Sequence, residues 1–238
     1  MAATRHARRR RARALAVALA ALSALSALVA AGCGSSSSST STSASSDNPA
    51  STPTTSATSR ASSQPGPEGI PLEQGPELAP ASSTSPGNTV DGIQCAPVEQ
   101  LAYHIHAHLQ VYVNGQPRAL PGAIGLVGPV GQQTQYGPFY GAQQCYYWLH
   151  THASDGVVHI ESPTKRIYTL GNFFHEWRQP LSAGQVASAT GPVTAFVNGK
   201  RWTASPASIP LQDHAVIQLD VGSPVVPFQP VSFAGTHL

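Results

Sequence analysis

Methionine is confined to Met1 in this 238-residue chain. Once a leader is removed, no thioether remains, which excludes a Met-rich Cu(I) site and the usual axial ligand of a blue-copper centre. Charge is sparse as well, at 10% of residues, and basic charge is sparser than the total of 13 Lys+Arg suggests. Arg5, Arg8, Arg9, Arg10, Arg11 and Arg13 all precede the one long apolar run. Behind that run seven basic residues face eleven acidic ones, a net of −4, so the basic isoelectric point belongs to the leader. A nucleic-acid-binding function loses its support. No G-x-S-x-G and no H-E-x-x-H occurs, and only three cysteines are present, which leaves nucleophilic hydrolysis and the commonest zinc-protease motif without a basis.

The first 32 residues have the layout of a secretory signal peptide: a cationic start, then an Ala/Leu/Val stretch over 14–32 that ends in small residues. Val29-Ala30-Ala31-Gly32-Cys33 resembles a bacterial lipobox, with Ala30 where Leu is usual, so Cys33 is the expected lipidation site. The competing reading is a retained membrane anchor, since nineteen apolar residues are nearly long enough to span. Either way the remainder is expected outside the cytoplasm, anchored to the outer face of the cytoplasmic membrane or lying in the periplasm or cell envelope. Residues 33–89, rich in Ser, Thr, Pro and Ala, read as a disordered tether. Residues 90–238 read as one folded domain.

That domain reads as mainly β, an antiparallel sheet or sandwich built from hairpins. Asn114-Gly115 and Asn198-Gly199 each sit between β-prone residues, the strongest short hairpin signal. Short matching patterns follow both turns (Pro121, Ile124, Leu126 and Pro206, Ile209, Leu211), a possible internal repeat. Cys145–His152 and Val157–Glu161 flank a four-residue turn, and Ala215–Val221 alternates as a strand. One amphipathic helix is expected on Leu170, Phe173, Phe174 and Trp177, capped by Thr169, stopped by Pro180, with His175 facing solvent. The Gly/Pro-rich stretch 117–141 reads as a long loop.

The chemistry concentrates in histidine. Tyr103–Val111 alternates strictly, so a strand sends Tyr103, Ile105, Ala107, Leu109 and Val111 to one face and His104, His106 and His108 to the other. His150 and His152 repeat the H-x-H spacing, and His159 with Glu161 follows on the return strand. Same-face neighbours lie about 6.6 Å apart, so an H-x-H pair can share one ion, whereas His104 and His108, about 13 Å apart, rarely do. The economical arrangement takes two histidines from the first strand and adds His150 and His152. Glu161, Asp155 and His159 are candidates for a further ligand, a supporting partner or a general base. Neutral imidazoles with nearby carboxylate suit Zn²⁺ or Cu²⁺. Cys95 and Cys145 are expected to form a disulfide in an oxidising compartment, and the alternative is Cys145 as a thiolate ligand. His214 and His237 read as surface or tail residues.

The runs YHIHAHLQVYVNG, CYYWLHTHASDGVVHIESP and YTLGNFFHEWRQPL are similar to a poorly characterised family of exported bacterial and archaeal proteins that carry H-x-H-x-H-L, L/I-H-T-H-x3-G-x2-H-x-E and L-G-x-F-F blocks. The resemblance covers about residues 101–222. It implies an exported protein with a metal site on His104, His106, His108, His150, His152 and His159, and carries no established activity. Three functions compete: a lipid-anchored metal-binding protein, a metal-dependent enzyme of hydrolase, lyase or oxygenase type, and a metal-free module that binds a glycan or a partner protein through Tyr136, Phe139 and Tyr140.

Overall fold

The computed structural model describes residues 64–238. The expected signal peptide, Cys33 and the first part of the tether lie outside the described residues. The fold is mainly β with one α-helix. In chain order the strands are β1 (Cys95–Ala96), β2 (Tyr103–Val113), β3 (Gln116–Arg118), β4 (Leu126–Thr134), β5 (Gly137–Tyr147), β6 (Leu149–His150) and β7 (Val157–Ser162). After helix α1 (Leu170–Glu176) come β8 (Leu181–Ser182), β9 (Gln185–Val186), β10 (Ala189–Thr190), β11 (Val193–Val197), β12 (Lys200–Trp202) and β13 (Ala215–Val221).

The main sheet runs β12-β11-β13-β2-β7-β6, with β3 also paired to β2. Both Asn-Gly turns form as expected. Asn114 and Gly115 have φ of 51° and 75°, and Asn198 and Gly199 have 50° and 77°, the two successive positive values of a type I′ hairpin. The pairing of β13 with β2 is parallel, from Ala215 opposite Ala107 to Val221 opposite Val113. No turn signal announces it, because parallel neighbours are distant in the chain. β2 is therefore a central strand with β13 on one side and β7 on the other. Its apolar face contributes Ala107, Leu109 and Val111 to the core, beside Ile160, Ile217 and Leu219.

The helix also follows its pattern. Thr169 and Asn172 form a reciprocal capping box. Leu170, Phe173, Phe174 and Trp177 are fully buried, while His175 lies outside and meets Asp91 at 2.6 Å.

Three expectations change. Most of the stretch expected as a loop over 117–141 is β-structure: β4 and β5 form a long antiparallel hairpin, in a three-stranded sheet ordered β1-β5-β4. Its proline is tolerated because β4 is an edge strand, and the register shifts between Val127 and Pro129 around Gly128. The expected hairpin 145–161 is cut at Trp148, since β5 ends at Tyr147 in the smaller sheet and only Leu149 and His150 pair with β7. Finally, residues 64–89 of the expected tether lie across the β domain. Ile70 and Leu78 are 2% exposed, and Glu73 N–H donates to Ser154 O and Leu78 N–H to Ala119 O. Each buried aliphatic side chain stabilises by about 1.5–3 kcal/mol. The surrounding prolines lower the entropy that ordering removes, so a few apolar residues suffice where average composition suggests a coil.

Candidate metal centre

Strand register builds the site. Across β2 and β7, His104 pairs with Glu161 and His106 with His159. Across β7 and β6, His159 pairs with His150. The period of two along each strand puts all of these on one face, in a row His106–His159–His150 with His104–Glu161 beside it. His152 follows β6 and returns to the same cluster.

Within each H-x-H pair the imidazoles converge. The Nε2 atoms of His150 and His152 lie 3.1 Å apart, and those of His104 and His106 lie 2.9 Å apart. For the first pair the proton positions follow from the partners. His150 Nδ1 is 2.8 Å from Tyr147 O, and His152 Nδ1 is 2.6 Å from Tyr140 O. A carbonyl only accepts, so each Nδ1 is the N–H donor and each neutral ring turns an Nε2 lone pair inward. Burial, reinforced by neighbouring imidazoles, pushes both pKa values down, His150 well below its ordinary value. Burial likewise lowers His106 to about 3, helped by His159 and His104. Two facing lone pairs cannot bond to one another; a shared cation satisfies both, and a carbonyl on the far nitrogen is the usual orienting partner of a metal-bound histidine.

Carboxylates complete the cluster. Glu161 Oε1 is 3.1 Å from His104 Nε2 and 3.9 Å from His150 Nε2. His159 stands between two acids, with Nδ1 3.2 Å from Glu161 and Nε2 2.6 Å from Glu68. Burial opposes its charge, but those two hydrogen bonds and the acids' charges outweigh burial and lift it to about 9. Glu68 is held below its ordinary value, burial notwithstanding, by the hydrogen bond and charge of His159. Asp155 is pushed well up by burial and by the charge of Glu68. Ligand atoms of His150, His152, His159 and Glu161 lie within 4.8 Å of one another, as do those of His104, His106 and His159. Both groups could hold a metal ion, the first fully buried and the second with His104 exposed. In the arrangement seen, both nitrogens of His159 face carboxylates, so it orients Glu161 rather than offering a lone pair.

The structure thus gathers His104, His106, His150, His152, His159 and Glu161, and sets His108 and Asp155 apart. His108 Nε2 is 2.9 Å from Asp155 O, burial lowers it to about 4, and it joins neither ligand group; the strand rise carries it out of reach. The Asp155 carboxyl accepts from Val157 N–H at 3.1 Å, feels the charges of both Glu68 and His159, and joins neither ligand group. Cys145 is bonded to Cys95, which removes it as a thiolate ligand. Two of the three aromatic residues assigned to a partner-binding loop serve the cluster instead: Phe139 stacks on His152 with centroids 4.6 Å apart, and Tyr140 supplies the carbonyl already described.

Two acids escaped the sequence reading. Glu68 sits in a proline-glycine segment with no periodicity to mark it, and its only signal was being one of the few charges there. Glu99, 3.5 Å from His152 Nε2, precedes β2 in an irregular stretch. A cleft of about 490 Å³ between residues 65–69, Tyr136 and residues 235–238 reaches Glu68. No family model matches the chain, and no curated protein and no solved structure shows significant similarity to it.

Proposed function

We propose that this is a lipid-anchored extracytoplasmic protein that binds a transition metal, Zn²⁺ or Cu²⁺, through histidines on adjacent strands. The observation that carries the reading is the pair His150 and His152, buried, fixed by carbonyls at Nδ1 and converging at Nε2. Imidazole donors with one or two carboxylates suit these ions, whereas Ca²⁺ and Mg²⁺ want mostly oxygen. The leader and Cys33 support the location, and the membrane is the one partner they suggest.

A metal-dependent enzyme is the second reading, favoured by His104, whose side chain is 37% exposed and leaves one side of the cluster open to solvent. Glu161 is then the candidate base, because it and not Asp155 stands among the gathered ligand atoms. The test is elemental analysis of the full exported chain beside His150→Ala/His152→Ala. A stoichiometric transition metal lost in the variant supports the reading. No bound metal in the wild-type protein, and no uptake of added Zn²⁺ or Cu²⁺ above the variant's, overturns it.

A further inference from the structure

We infer that the centre takes two metal ions bridged by Glu161, an inner one on His150 and His152 and an outer one on His104 and His106. This rests on the metal-binding reading above and sets its stoichiometry and internal organisation.

The separation of the pairs is the first argument. Metal–nitrogen bonds of roughly 2.0–2.1 Å place two ligands of a tetrahedral ion about 3.3 Å apart. The spacings of 3.1 Å for His150/His152 and 2.9 Å for His104/His106 each match one ion. The four nitrogens do not form one cluster, because the donors within mutual reach fall into two groups that hold one pair each and share His159.

His159 is the spacer between them. Its ring stacks on His150 with centroids 5.3 Å apart and meets His106 and His152 edge-on at 4.6 and 4.5 Å.

Glu161 links the two sides. Oε1 is near an Nε2 of each pair, 3.1 Å from His104 and 3.9 Å from His150. Oε2 is buried and has no hydrogen-bond partner among the described residues. A buried carboxylate oxygen without a donor is costly unless something electropositive faces it, and a second cation meets that need. His159 Nδ1–H, 3.2 Å from Oε1, holds the carboxylate in place.

The two ions differ in surroundings. His150 and His152 are 0% and 4% exposed, so the inner ion is enclosed, and Glu99 stands 3.5 Å from His152 as a further oxygen donor. The outer ion sits beside half-exposed His104, where water or a small anion has room to complete the shell.

The test strips the full detergent-solubilised chain with a chelator, reloads it with Zn²⁺ and counts ions after desalting. Two per chain are expected in the wild-type protein, falling to one in His104→Ala/His106→Ala. Reloading with Cu²⁺ is expected to give a spin-coupled pair by electron paramagnetic resonance. The wild-type protein alone decides the main point, whatever the folding of a variant. One ion per chain, or two uncoupled Cu²⁺ signals, overturns the bridged pair and leaves metal binding standing. No ion at all overturns the underlying reading too.

Discussion

Glu68 and His159 are 91 positions apart in sequence, yet their side chains meet at 2.6 Å inside the protein. The contact fixes the ring that in turn orients Glu161. Glu68→Gln is expected to weaken metal binding by about 10–100-fold, the usual effect of losing a group that positions a ligand. A competition titration against a chromophoric chelator measures it. Unchanged affinity would show that His159 needs no anchor. Any shortened form must keep residues 64–79, because one that begins at residue 90 lacks both Glu68 and the buried Ile70 and Leu78.

Glu176 is fully buried in α1, and neither carboxylate oxygen has a hydrogen-bond partner among the described residues. Burial, with Asp91 nearby, pushes its pKa well up. The folded protein therefore keeps this proton to higher pH than the unfolded chain does. Its contribution to stability falls as pH rises from the ordinary carboxylate value through the raised one. Glu176→Leu is expected to stabilise by about 1–3 kcal/mol at neutral pH and to flatten that slope. Urea midpoints from pH 4 to 8 check it, and a variant less stable at pH 7 counts against this account.

The Cys95–Cys145 bond closes a loop of 50 residues. Cys145→Ala is expected to cost about 4 kcal/mol on the chain-entropy account. Metal content should be unchanged below the new melting transition, because no thiolate ligates. Metal loss from a still-folded variant would restore Cys145 as a ligand.

Gly156 has φ of 78°, and a Cβ there would stand 2.6 Å from Leu109 O and 2.7 Å from His108 Nε2. Gly156→Ala is expected to lower stability by at least about 1–2 kcal/mol from the left-handed backbone alone. It should also disturb the turn that starts β7. Thermal unfolding of the metal-free protein measures this, and a shift under about 2 °C would mean the turn relaxes freely.

Much of the site was legible in the chain because it depends on local periodicity. Strict alternation over 103–111 separates imidazoles from core side chains, and the H-x-H spacing of His150 and His152 repeats that logic. The helix was legible for the same reason, through Thr169 and the stripe on Leu170, Phe173, Phe174 and Trp177. What was hidden depends on contacts between distant segments. Nothing near Glu68 marks it as a partner of His159. Nothing in Ala215–Val221 reveals a parallel neighbour. The glycines and prolines of 117–141 conceal a hairpin because an edge strand tolerates them.

The parallel contact between β13 and β2 also sets an order of assembly. β2 carries two of the imidazoles, and its local hairpin with β3 pairs only Val111–Val113, so a slip of one residue further back would turn its histidines toward the core. Its partner arrives late: Gln110 on β2 lies beside Gln218 on β13, 108 positions further along. Contacts of such sequence separation form slowly. A chain that has emerged only as far as His159 holds every imidazole of the centre but lacks the end of β7, with Glu161 opposite His104, and all of β13. The binding geometry is therefore a product of complete folding, and ions met by the histidines of a partly emerged chain meet a flexible chelator instead of a site.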